Sequence, residues 1–193
     1  MGEKKPFDDP SETHAKCAEC LIKQAQELHK MNSAMIDSAL GRIQRSIGKY
    51  CAIQENFSDC DVSTDRPFQK LFNGFYRVRR SSAWQEHFYR LMQDAKKDKP
   101  TFAKVLRELN SKTGRLEASF VSKLVATVDP RKPIIDQYVL KYFGLGLPSY
   151  GKKDRENKII GVYDELCKKH KNLMEKNGQE ICRRFAKLYP DAA

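Results

Sequence analysis

Arg77-Val78-Arg79-Arg80, with Phe75-Tyr76 just before it and Trp84 just after, groups the residues best suited to hold a polyanion. Guanidinium groups grip phosphates in bidentate fashion, and aromatic rings stack on unpaired bases. The same residues have a plainer use: the aromatics fall on a helical stripe that suits a core, and the arginines on a solvated helix end. A second basic group, Lys132, Lys141, Lys152 and Lys153, flanks Asp136 and would widen a cationic face there. Cys17 and Cys20 form a C-x-x-C with His14 one turn earlier. Zinc takes four ligands, and the next cysteines, Cys51 and Cys60, stand at no familiar spacing, so no metal site is assigned. Cys167 and Cys182 read as core thiols. The chain has no Walker loop, Gly-x-Gly-x-x-Gly, Gly-x-Ser-x-Gly or His-Glu-x-x-His, and no cofactor is expected.

Composition frames these groups. The 193 residues carry a formal net charge of +11, which bears on partners and solubility rather than on fold. Nucleic acid is the natural polyanion to consider, although lysine-rich helical surfaces also occur in proteins that bind nothing acidic. No run of about 18 apolar residues exists, so no transmembrane helix is expected. The stretch Met1 to Pro10 is charged and lacks the apolar stretch of a secretory signal. The cysteines are therefore expected as free thiols, and the protein as cytoplasmic.

Helices must position all of this. From Glu12 to about Ile53, apolar residues such as Leu21, Leu28, Leu40, Ile43 and Ile47 recur at three- and four-residue steps. The pattern fits one long amphipathic helix or two, with Gly41 and Gly48 as breaks. Asn56 to Asp65 is polar and turn-rich. Thr64 or Asp65 with Pro67 starts a helix carrying Phe68, Leu71, Phe72, Phe75 and Tyr76. Ser82 caps the next (Trp84, Phe88, Leu91, Met92), and Thr101 caps a third that stops at Gly114. Leu116 to Val128 form another, ended by Asp129-Pro130 and Pro133; Asp136 then caps a helix closed by Gly144. After a Gly/Pro/Ser loop come two helices, about 154–176 and 179–189. No alternating strand appears. The expectation is an all-α, multi-helix globular bundle of seven to nine helices, with a flexible tail at 1–11, an N-terminal helix or helix pair at 12–55 and a helical core domain at 64–193.

The segment Ser119-Phe-Val-Ser-Lys123-Leu-Val-Ala-Thr-Val-Asp-Pro-Arg-Lys-Pro-Ile-Ile-Asp136-Gln-Tyr-Val139 resembles the core of the helix-hairpin-helix DNA glycosylase superfamily. The resemblance covers roughly residues 100–145. It implies a glycosylase-like helical fold in which Asp136 stabilises the cationic sugar as the base leaves. It also implies that Lys123 attacks the anomeric carbon to give a Schiff base. The chemistry is coherent: a carboxylate stabilises an oxocarbenium-like sugar, and a lysine becomes a nucleophile once burial or a cationic neighbour removes its proton. A base within a duplex must also be flipped out to be reached.

Both residues have simpler roles as well. Asp136 ahead of a helix is an N-cap, contributing about 1 kcal/mol without catalysis. Lys123, between Phe120 and Leu124, reads as an exposed lysine. Two expectations follow. One is a DNA-binding helical protein, glycosylase- or lyase-like, with Asp136 and Lys123 catalytic and Arg77, Arg79, Arg80, Lys132 and Lys141 on the nucleic acid. The other is a non-catalytic interaction module that self-associates through its N-terminal helix.

Overall fold

The computed structural model describes residues 32–190. Among them are seven α-helices and no strand: α1 (Ser33–Asp59), α2 (Arg66–Tyr76), α3 (Ser82–Asp98), α4 (Phe102–Thr113), α5 (Ala118–Val128), α6 (Gln137–Tyr142) and α7 (Arg155–Leu188). The chain divides into two units, Met1–Gly41 and Arg42–Ala193. Of the first, the described part is the beginning of α1, where Ile36 and Leu40 are buried. The second unit holds the remaining helices and the core.

Polar caps set most helix limits. Asp65, rather than Thr64, caps α2: its carboxylate accepts from the Phe68 amide at 2.7 Å, with Pro67 in the first turn. Ser81 caps α3, one residue earlier than expected, its hydroxyl accepting from the Trp84 amide at 3.4 Å. Thr101 opens α4, and Gly114, at φ +67°, closes it with its N–H on the Asn110 carbonyl. A φ in that region suits glycine because it has no Cβ to clash. α2 and α3 end differently, with Arg77 (φ 53°) and Lys99 (φ 43°) taking the left-handed position.

Two elements run past limits that the sequence suggests, and the expected stretch from 12 to 31 lies outside the described residues. α1 runs unbroken through Gly41 and Gly48 and continues to Asp59, past the expected end near Ile53. Ile53 and Phe57 are buried one turn apart, and the polar Asn56 turns its side-chain amide back onto the Ala52 carbonyl. Core burial, worth about 2–3 kcal/mol for a side chain of this size, outweighs turn propensity. The two C-terminal helices are likewise one, a 34-residue α7 continuous through Gly178. A glycine inside a helix costs only about 1 kcal/mol, and no proline intervenes.

The core of the second unit is aromatic. Phe68, Phe72, Phe88 and Tyr89 bring α2 and α3 together, Tyr89 meeting Phe72 edge-on at 5.9 Å. Its hydroxyl donates to Asn73 Oδ1 at 2.7 Å, so the buried phenol is satisfied. Trp84 stacks on Phe88 at 4.9 Å and meets Phe120 of α5 edge-on. Phe102 stacks on Tyr163 at 3.9 Å, tying α4 to α7, and the Tyr163 hydroxyl donates to the Pro133 carbonyl. That last bond is one of three that fix the segment leading into α6.

Candidate functional site

α5 is the most thoroughly enclosed helix, with Val121, Leu124, Val125 and Ala126 buried. Its polar residues are therefore exceptions that need partners. Ser119 and Ser122, one turn apart, grip the two backbone groups of a single residue. The Ile135 N–H donates to Ser122 Oγ at 2.8 Å, and Ser119 Oγ donates to the Ile135 carbonyl at 2.9 Å. This clamp holds the extended residues 133–136 against α5, which brings the next residue, Asp136, to the vicinity of Lys123.

Lys123 is half-buried, not exposed as its neighbours in sequence suggested. Its Nζ donates to Ser119 Oγ at 2.8 Å and lies 5.2 Å from the ring centre of Phe120 and 5.7 Å from that of Tyr76. Burial pulls its pKa below the ordinary lysine value, and the Asp136 carboxylate pushes against that shift. Burial prevails, because a charge surrounded by aromatic carbon loses hydration that a carboxylate not in contact does not restore. Burial also pushes the Tyr76 hydroxyl up to about 12, so a neutral ring faces the amine. Asp136 caps α6 as the sequence indicated, Oδ1 accepting from the Tyr138 amide at 2.8 Å.

Arg80 joins this group. Its guanidinium lies 5.2 Å from the centre of the same Phe120 ring, so Arg80 and Lys123 share one aromatic neighbour. It is also held in a bidentate pair by Glu117, with Nε–Oε1 at 2.8 Å and Nη2–Oε2 at 3.1 Å. Tyr150 is 91% exposed, and the Arg155 guanidinium lies 4.3 Å over its ring. Tyr138 and Tyr142 are exposed on α6.

The other expected residues are more dispersed. Arg77 is exposed as the left-handed cap of α2, Arg79 is exposed beside it, and Lys141 is exposed in the last turn of α6. Lys132 belongs to a different surface, a groove of about 870 Å³ along α7 lined also by Cys167, His170 and Met174. Trp84 is buried in the core, as its helical spacing allowed. His14, Cys17 and Cys20 lie outside the described residues, and among the described residues no three metal-ligating side chains cluster. No helix of the described residues is long and apolar enough to cross a membrane.

A half-buried amine with a lowered pKa, a carboxylate nearby and aromatic walls is an arrangement suited to adding a lysine to an electrophilic carbon. No known family, curated protein or solved structure matches this chain. Sequence reasoning had not assigned Ser119, Ser122, Phe120, Tyr76 or Glu117 to the site. The available signal was the polar residues at 119, 122, 123 and 127 on a helix otherwise apolar, which the spacing places on adjoining turns.

Proposed function

We propose that this protein acts on DNA as a glycosylase/lyase-like enzyme of the helix-hairpin-helix kind, with Lys123 as nucleophile and Asp136 as the stabilising carboxylate. The observation that carries the reading is Lys123: half-buried between Phe120 and Tyr76, lowered in pKa by burial, and within the field of Asp136. The neutral amine would add to C1′ of a flipped nucleotide as the bond from C1′ to the base breaks. The bonding electrons leave with the base, which takes up a proton. Opening of the sugar ring then gives the protonated Schiff base, the proton given up by nitrogen ending on the ring oxygen. Asp136 would stabilise the positive charge on the sugar throughout. The net charge of +11 supplies the field that draws a polyanion in.

A second reading rests on the Lys123–Ser119–Ile135 chain of hydrogen bonds. In it the lysine braces the segment 133–136 and the protein is a non-catalytic helical module. Borohydride trapping on duplexes carrying an abasic site, combined with binding across a salt series, separates the two. The enzymatic reading expects a covalent protein–DNA adduct and affinity that falls steeply with salt. A flat salt response with no adduct would leave the brace as the role of Lys123.

A further inference from the structure

Next to Arg80 the surface opens into a cleft of about 420 Å³ between the start of α3 and the end of α4. Arg79, Arg80, His87, Lys112 and Arg115 line it, and no carboxylate does. A second cleft between the same two helices makes a useful contrast, because Asp94, Asp98 and Glu108 there offset Lys97 and Lys104. Glu117 satisfies Arg80 and stands 3.9 Å from Arg115. Arg79 and Lys112 have no acidic partner among the described residues. Gathering one sign of charge around a concavity raises the local potential and concentrates anions there.

Two further features point the same way. Ala83 in the first turn of α3, a 17-residue helix, and the cap Ser81 line the cleft, bringing the positive end of the helix dipole and the amides of Ser82 and Ala83, while the Trp84 amide is taken by Ser81. Trp84, also in the lining, is only 5% exposed, yet its indole Nε1 has no acceptor. A buried indole N–H without a partner is uncommon, and it leaves the wall of this cleft with one polar group unsatisfied.

We propose that this cleft binds a backbone phosphate of the nucleic acid strand on which the Lys123 site acts, an assignment that rests on the nucleic-acid reading above. Arg79 and Lys112 hold the phosphate from the rim, and the α3 amides receive it.

Trp84 is the only tryptophan of the chain, so its emission reports on the cleft in the unmodified full-length protein. Titration with a labelled abasic duplex should change that emission with the same midpoint as the anisotropy of the label. The Arg79→Gln/Lys112→Gln pair should lower the slope of log affinity against log salt by about one, the share of the single phosphate that the two side chains hold together. Lys168→Gln/Lys171→Gln, an equal loss of charge on α7, should leave the slope near that of the unmodified protein. Binding with silent Trp84 emission would overturn the assignment, as would equal slopes for the two pairs or no binding at all. Inorganic phosphate producing the same emission change at equal or lower concentration would overturn the backbone source in favour of a small free anion. Failure of the chemistry reads differently: an emission change without a borohydride adduct keeps the cleft and removes the Lys123 mechanism. An adduct with silent Trp84 does the reverse.

Discussion

Among the described residues, two lysines lie against aromatic rings, and they end in different ways. Lys96, near the end of α3, sits 4.8 Å from the ring centre of Phe57 and donates to the carbonyl of Cys60, just beyond the end of α1. Lys123 sits over Phe120 and Tyr76 and donates to a serine hydroxyl that is itself donating elsewhere. The first acceptor is one of the carbonyls that any helix C-terminus leaves without a partner, and the helix dipole there favours a cation. The second is a neutral hydroxyl in a buried clamp, with Asp136 nearby but not in contact. A cation over a ring is therefore no sign of function on its own; the two lysines differ in the group that receives their protons, a helix-end carbonyl in one and a clamped hydroxyl in the other.

The sharpest way to break this contrast is to remove each ammonium in turn. Lys123→Met should abolish the borohydride adduct, whereas Lys96→Met should retain it, as seen by denaturing gel and intact mass. An adduct surviving in Lys123→Met would move the chemistry to another residue. On stability, the clamp should matter most. Ser122→Ala leaves the buried Ile135 N–H without an acceptor and should cost about 1–3 kcal/mol in urea unfolding. Lys96→Met removes one bond to a carbonyl and should cost about 1 kcal/mol in the same measurement.

Asp136 offers a finer separation of cap from catalyst. Asp136→Asn keeps a good N-cap and should hold stability within about 0.5 kcal/mol, whereas Asp136→Ala should cost about 1 kcal/mol. If the carboxylate stabilises the sugar cation, the Asn variant folds normally yet loses its adduct. The smallest effect concerns pH. A lysine whose folded pKa lies below 10.5 binds fewer protons folded than unfolded, so folding gains stability as pH rises between the two values. The stability difference between Lys123→Met and the unmodified protein should accordingly drift toward the unmodified protein as pH approaches 10.5. A difference independent of pH would place Lys123 in ordinary solvent.

Much of the helical framework was legible because caps are local chemistry. Asp65, Thr101, Gly114 and Asp136 each do what their side chains or backbone dictate at the expected positions. The misjudged limits, α1 past Ile53 and α7 through Gly178, arise where nonlocal burial or helix continuity overrides a weak breaker. The site was half legible. Asp136 and Lys123 stood out by type and spacing, but that Arg80 shares the Phe120 ring with Lys123 depends on how α5 packs against the start of α3. The cleft of Arg79, Lys112 and Arg115 was invisible for the same reason, since it is assembled from residues more than thirty positions apart.

The serine clamp on Ile135 has a consequence for the order in which structure is lost. Asp136 is placed by hydrogen bonds to the residue before it, and the Ile135 amide, outside every helix, is held by a side chain rather than by a helical ladder, although the Ile135 side chain joins the core. Local opening of the clamp needs less free energy than global unfolding. The Ile135 amide should then exchange with deuterium ahead of the amides of Leu106 and Phe88, dispersing the site in molecules that are still folded. The resting lifetime of any activity would follow that one amide rather than the melting temperature.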